Sequence, residues 1–482
     1  MRLGMGLAVL GIGVLALGWW ARVEYAGNMQ ALVLADARTV AATSVHGVTV
    51  AVTGRDIAVS GLADGPAERE RLIAALDSVR GRRVVEDALQ VLPVAAPYVI
   101  QIEWRDGVLA ALGTAPNASA QAMFAALGLG EMPLAAGAPD ALWPVAAASG
   151  VAGLRLLESG QVELSGQHLR LAGVALSPAE GEAARAALAE NFPQGYDAVL
   201  ELAYLDDGTP PAYALHYAAG TGPWLEGKLP LGVSADDVAS ALGLETLDNG
   251  AEAARIGESG QVSPVMAALR PWLPEVETLD VAVDPDGTLV DAGFGAGADL
   301  DLLSTALGAD LAGAEGVTLR VRVVEPEEAE GARRSNLLAG RDEVLQSGYW
   351  LPALDFAPAP ETCAAETDRV LAANTIGFVS GSARLDARAR GAVNALAGVL
   401  WPCVRSGLRA EIGGHTDATG GDEANLALSQ QRAEAVRAAL VSRGVPDAGL
   451  TAAGYGAAEP IADNETEEGR AANRRTAVRW ID

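Results

Sequence analysis

The stretch LRAEIGGHTDATGGDEANLALSQQRAEAVRAALVSRG, Leu408–Gly444, passes from one periodicity to another. Leu408, Ala410 and Ile412 alternate as one face of a strand does, whereas Leu428, Val436, Ala439 and Leu440 recur at helical spacing between about Asp422 and Arg443. A strand that feeds a helix through a Gly-rich loop is the unit of an α/β layer. Arg432 lies inside the apolar stripe of that helix. At about 100° per residue it falls about 40° from Leu428, with Val436 at about 80° and Leu440 at about 120°. A guanidinium in that setting needs an anion or several acceptors, because an unpaired charge there is heavily penalised. The strongest candidate is Asp417, at the exit of the strand. The two either neutralise each other inside the domain or present opposite charges to a zwitterionic ligand, its ammonium on Asp417 and its carboxylate on Arg432. In the second case each charge-assisted bond contributes about 1.5–3 kcal/mol. Spacing alone leaves both readings open.

Working outward, the pattern predicts a strand at Thr375 to Phe378, a helix from about Ala387 to Leu400, and strands near Thr451 to Gly454 and at Thr476 to Ile481. A mixed sheet backed by helices follows. The chain has 2 cysteines, Cys363 and Cys403, both in this module. In an oxidising compartment they are a disulfide candidate tying the entering segment to the end of the first helix; the alternative is two buried thiols.

The ordered set Gly414-His415-Thr416-Asp417, Gly420, Asn425, Leu428-Ser429, Arg432-Ala433, Val436, Leu440, Gly444, Gly454, Pro460, Asp463-Asn464, Gly469-Arg470 and Asn473-Arg474-Arg475 resembles the OmpA-like peptidoglycan-binding domain family from about Thr375 to Trp480. The resemblance implies noncovalent binding of the diaminopimelate in peptidoglycan stem peptides, with Asp417 and Arg432 holding its ammonium and carboxylate. Thr419, Asn425 and Arg474 match positions that line or support the family's pocket. Phe378 with Ser380-Gly381-Ser382-Ala383 resembles the opening strand and loop, but Gly377 and Val379 stand where the family often carries polar residues, so the resemblance leaves a ligand contact from that loop open. His415 reads as a loop-orienting residue: one His and one Asp are too few for a hydrolytic metal centre, and no nucleophile elbow accompanies them. No catalytic residue, metal site or cofactor is expected.

Upstream, residues 46 to about 324 repeat a strand, a Gly turn, a second strand ending in Gly, and an acidic Ala-rich helix. Gly54 to Gly61 and Gly166 to Gly173 stand 112 residues apart, and Ala126-Leu127-Gly128-Leu129 and Ala241-Leu242-Gly243-Leu244 stand 115 apart. The helices near Pro66 to Val79 and Pro178 to Asn191 each carry Pro in the first turn. A degenerate third copy covers Val276 to Val324. This unit resembles BON domains, which implies envelope-protein or phospholipid partners and no catalysis; generic α/β spacers are the alternative. His46, His168 and His216 are isolated in sequence.

Leu3 to Trp20 is uncharged and ends in Trp19 and Trp20, long enough for a single membrane anchor with its tryptophans at the interface. With Arg2 inside, the remainder faces the periplasm from the inner membrane. The alternative is a cleaved signal peptide with a soluble periplasmic or outer-membrane location, Ala16-Leu17-Gly18 being a small-residue processing site. The net charge is −28, with −3 on residues 361–482 and −25 on residues 1–360. Without a basic face, nucleic acid is excluded as a partner.

The expectation is an α+β multidomain envelope protein of several units. A signal anchor or signal peptide occupies 1–22, and BON-like α/β repeats occupy 46–135, 140–250 and, degenerate, 260–324. An acidic, Pro/Ala-rich linker at 325–360 then leads to an OmpA-like two-layer α/β domain at 361–482. Its function is to bind peptidoglycan and tether the membrane to the wall; the alternatives are a wall-targeted enzyme and a stator or secretion-machine subunit.

Overall fold

In the computed structural model, residues 2–481 are described. The chain divides after Thr209 into two compact units.

The first unit opens with the helix Arg2–Trp20, which continues through a π-helical turn, Ala21–Tyr25, into the helix Ala26–Ala41. Leu7, Leu10, Val14 and Leu17 are 63–67% exposed. Val33, Ala37 and Ala41, at i, i+4 and i+8, are buried with Val48, Ile57, Val59, Leu72 and Leu76. The second helix is therefore part of the first α/β core, although the sequence reading begins that core at residue 46. Among the described residues no helix is long and apolar enough to cross a membrane.

The repeat is a hairpin, a helix and a strand parallel to the hairpin's second strand. Its copies are Thr49–Thr53, Asp56–Ala63, Gly65–Asp77 and Val84–Val91; then Ser159–Ser165, His168–Ala175, Pro178–Glu190 and Asp197–Tyr204. In the second unit Thr278–Asp284, Gly287–Phe294, Leu300–Leu311 and Val317–Val323 repeat it in full, so the third copy is not degenerate. The first two helices start alike. Buried Glu68 accepts the Asp64 amide at 2.5 Å, and Glu180 the Leu176 amide at 3.0 Å, so a first-turn carboxylate caps each helix. The recurring second glycine has a steric cause. A Cβ at Gly173 would lie 2.6 Å from the Ser159 carbonyl, and one at Gly61 would lie 3.2 Å from the Val48 Cα.

The sheets are phased differently from the segments 46–135 and 140–250. Val99–Arg105, hairpinned to Val108–Gly113, pairs with Ser159–Ser165 rather than with the first sheet. Likewise Ala212–Ala218, hairpinned to Gly222–Leu229, pairs with Thr278–Asp284. Each of these copies thus carries an extra hairpin, and each sheet has its own core, one around Phe124, Trp143 and Leu169, the other around Trp272, Val281 and Phe294. Hairpin order along the chain cannot reveal which neighbour a hairpin joins.

The segment 325–360 is not a linker throughout. Arg333–Asn336, Arg341–Gln346 and Tyr349–Pro352 form an antiparallel sheet, and Pro360 opens the helix Pro360–Ala373. Arg334 ties the sheet together, pairing with Glu343 at 2.7 Å and Glu277 at 2.6 Å over the face of Trp350. Charge pairing of that kind leaves no hydrophobic alternation to read.

In the terminal domain Arg409–His415 lies between Leu450–Gly456, parallel to it, and Thr476–Ile481, antiparallel. The mixed sheet expected from sequence is present, backed by the helices Ala389–Arg405 and Asp422–Ser442. Thr375 to Phe378 is no strand, however: Phe378 makes only an isolated bridge to Leu385. The helix Glu467–Asn473 is short and polar and carries no apolar stripe to predict it from. Cys363 and Cys403 are joined by a disulfide.

Candidate ligand-binding groove

Gly414 and Gly454 stand opposite each other on neighbouring strands. A Cβ at Gly414 would collide with the Ser429 carbonyl, and one at Gly454 with the Gln430 amide. The pair forms a seat that lets the helix Asp422–Ser442 lie directly on the sheet, so the height of Arg432, one turn further along, is set by backbone contact.

From this seat the chain passes through His415, Thr416 and Asp417, all buried, into a tightly bonded turn. One Asp417 oxygen accepts the Thr419 amide at 2.8 Å. Asn425, itself buried, donates to the Thr419 carbonyl at 3.2 Å and the Asp417 carbonyl at 3.4 Å. Asn464 accepts the Ala418 amide at 3.2 Å and is held by fully buried Asn473, which also accepts the amides of Ile461 and Ala462. These bonds fix the direction of the Asp417 side chain.

The partner of Asp417 is not Arg432. Arg474 donates to the second Asp417 oxygen at 2.8 Å and to Glu467 at 2.9 Å. Burial pushes the Asp417 carboxyl up, but Arg474 and Thr419 outweigh it and hold the group below the usual carboxylate range. Arg432 instead donates from Nε to the Ser382 carbonyl at 3.0 Å, with its guanidinium 4.9 Å above the Phe378 ring. Burial and the charge of Arg474 lower its pKa against the pull of Asp417. Among the described residues it makes no ion pair, so the reading in which Asp417 and Arg432 neutralise each other is overturned.

Asp417, Arg432, Thr419, Asn425 and Arg474, singled out from sequence, all line one groove of about 800 Å³. The first loop, whose ligand contact the resemblance left open, supplies a wall with Phe378, Ser380 and Gly381. Gly377 has a packing role there, since a Cβ would strike the carboxylate of Asp386, another lining residue. Asp386 and Glu467 carried no sequence signal; Phe378 and Ser382 did, as parts of the opening strand and loop.

His415 does not orient the loop through hydrogen bonds. It is 2% exposed, neither ring nitrogen has a hydrogen-bond partner among the described residues, and its ring stacks on Tyr455 with centroids 5.1 Å apart. Burial first, then Arg475, lowers its pKa to about 4, so it is neutral at pH 7. Among the described residues no group of three or more His, Cys, Asp or Glu could hold a metal ion.

The OmpA family model matches residues 377–474. Over 65 residues, 14% of this chain and 20% of the relative, the sequence is 54% identical to outer membrane porin F of Pseudomonas fluorescens. Over 70 residues, 14% of this chain and 22% of the relative, it is 47% identical to the peptidoglycan-binding protein ArfA of Mycobacterium tuberculosis. The chain thus spans about a fifth of the length of either curated relative. The crystal structure of the peptidoglycan-associated lipoprotein from Burkholderia pseudomallei is 34% identical, with 23% of this chain and 93% of that chain covered and a TM-score of 0.21. An OmpA family domain therefore occupies residues 377–474 of this chain.

Proposed function

We propose that the terminal groove binds the diaminopimelate of peptidoglycan stem peptides without covalent chemistry and so tethers the cell envelope to the wall. The observation that carries this reading is the state of Arg432. Its guanidinium is partly buried, rests on Phe378 and a carbonyl, and among the described residues has no carboxylate, while Asp417 lines the same groove. A ligand carboxylate completes the shell of Arg432. Each Asp417 oxygen already accepts one bond and keeps a lone pair for an ammonium. Diaminopimelate carries both groups on one carbon at the end of its side chain. A relative named as a peptidoglycan-binding protein supports the assignment.

The reading is one of holding rather than turnover: His415, among the described residues the only histidine lining the groove, is a neutral side chain stacked on Tyr455. The repeated units serve in this proposal as BON-like spacers, and Leu3 to Trp20, whose residues from Leu7 onward expose apolar side chains, as an inner-membrane anchor.

The test is co-sedimentation of the full chain in detergent with diaminopimelate-type sacculi, beside Asp417→Ala and Arg432→Ala. Binding by wild type and its loss in both variants, with circular dichroism unchanged, is the expected result. Equal pelleting of all three proteins would remove the groove as the binding site.

A further inference from the structure

We infer that Asp299, in the α/β unit preceding the terminal domain, positions the first wall of the groove by holding Arg384, and through it the loop that orients Arg432. This inference rests on the groove reading above. The loop from Phe378 to Leu385 is a self-contained turn. Val379 donates its amide to the Arg384 carbonyl at 2.9 Å, Ser382 donates its amide to the Val379 carbonyl at 3.0 Å, and the Arg384 amide donates to the Ser382 hydroxyl at 2.9 Å. On its groove side the loop supplies both contacts of Arg432, the Ser382 carbonyl and the Phe378 ring. On its other side Arg384 reaches out of the domain. Its Nε and Nη2 donate to the two oxygens of Asp299 at 2.7 and 2.6 Å, a bidentate pair.

Asp299 is itself fixed. It is the N-cap of the helix Leu300–Leu311 and accepts the Leu302 amide at 3.3 Å. A continuous path therefore runs from a helix end in one α/β unit, through one ion pair and one turn, to the arginine that the ligand carboxylate needs. Two further arginine side chains dock on the same unit without lining the groove. Arg388 lies 4.7 Å over Trp272 and 3.5 Å from Asp310, and Arg390 donates to the Glu275 carbonyl. They separate docking in general from positioning of the loop.

With side chains 50% and 33% exposed, the Arg384 and Asp299 pair adds little to global stability. Its expected effect is local order in the loop, read as ligand affinity and as protection of the Val379 and Ser382 amides from exchange.

The experiment uses the full chain with a diaminopimelate-containing stem peptide as titrant, and hydrogen exchange on the same proteins. Asp299→Asn keeps the helix-capping oxygen and removes the charge; Arg384→Gln removes the other partner. Each is expected to weaken binding roughly two- to fivefold at unchanged melting temperature, with no further loss in the double variant. Asp299→Glu restores most of the affinity, Arg388→Gln leaves it unchanged, and exchange at Val379 and Ser382 quickens only when the Asp299 pair is broken. Wild-type affinity in both Asp299→Asn and Arg384→Gln overturns the inference, whatever the exchange shows, and leaves the ligand reading standing. An equal loss in Arg388→Gln also overturns it, because docking alone then suffices. If the wild-type chain binds no stem peptide, the ligand reading fails and exchange decides the tether: quickened exchange in Asp299→Asn supports it, unchanged exchange removes it.

Discussion

The repeated α/β units and the terminal domain are built from the same elements, but they bury different things. In residues 46–323 the buried polar side chains are few and include helix-starting Glu68 and Ser177. Between residues 361 and 482 they include His415, Thr416, Asp417, Asn425, Ser429, Arg443 and Asn473, most of them around one loop. Buried polar groups are costly unless bonded, so a fold gathers them only where something is gained. For Glu68 and Ser177 that gain is helix capping. In the terminal domain it is a charge held at a fixed height and angle beside a groove. Repetition in this chain marks packing, and convergence of polar residues marks a site.

The largest effect that separates the two regions is a core deletion in a repeat. Leu169→Ala, at a site 2% exposed, is expected to destabilise the first unit by about 2–5 kcal/mol while sacculus binding is unchanged. Calorimetry with co-sedimentation checks it, and lost binding would make the repeats part of the site. Next is a pH effect confined to the terminal domain. The His415 pKa is lowered from 6.5 to about 4 on folding, so the unfolded chain takes up a proton that the folded one refuses. Stability is full above pH 6.5 and falls as the pH drops toward 4, by up to about 3 kcal/mol. His415→Phe, which keeps a ring against Tyr455, should flatten that window in urea titrations at stepped pH. Smallest is Gly414→Ala. Lifting the helix off its seat is expected to cost about 1–3 kcal/mol and to weaken binding as well, since Arg432 moves with the helix. Unaltered affinity in that variant would show that the seat does not set the position of the arginine.

How much of this was legible depended on how local the cause was. The strand, loop and helix at Leu408–Gly444, and the anomaly of Arg432 within an apolar stripe, are periodicities and are visible in one sequence. The partnership of Asp417 with Arg474 is not, because 57 residues separate them and only the sheet and the short helix Glu467–Asn473 bring them together. The same limit explains the repeats. Their spacing is a local property and was readable, but the pairing of Val99–Arg105 with Ser159–Ser165 crosses two helices. The sheet within 325–360 was hidden because Arg334, Glu343 and Trp350 hold it by charge and stacking rather than by alternation.

The central claim is that the groove recognises an ammonium and a carboxylate together, and calorimetric titration of the full chain with two stem peptides tests it most directly. One peptide carries diaminopimelate, and the other carries lysine, which lacks only the side-chain carboxylate. Binding of the first with at least about tenfold weaker binding of the second is the expected result, since Arg432 has nothing to hold in the lysine peptide. Equal affinity for the two would contradict the assignment of Arg432 and, with it, the reading of the groove.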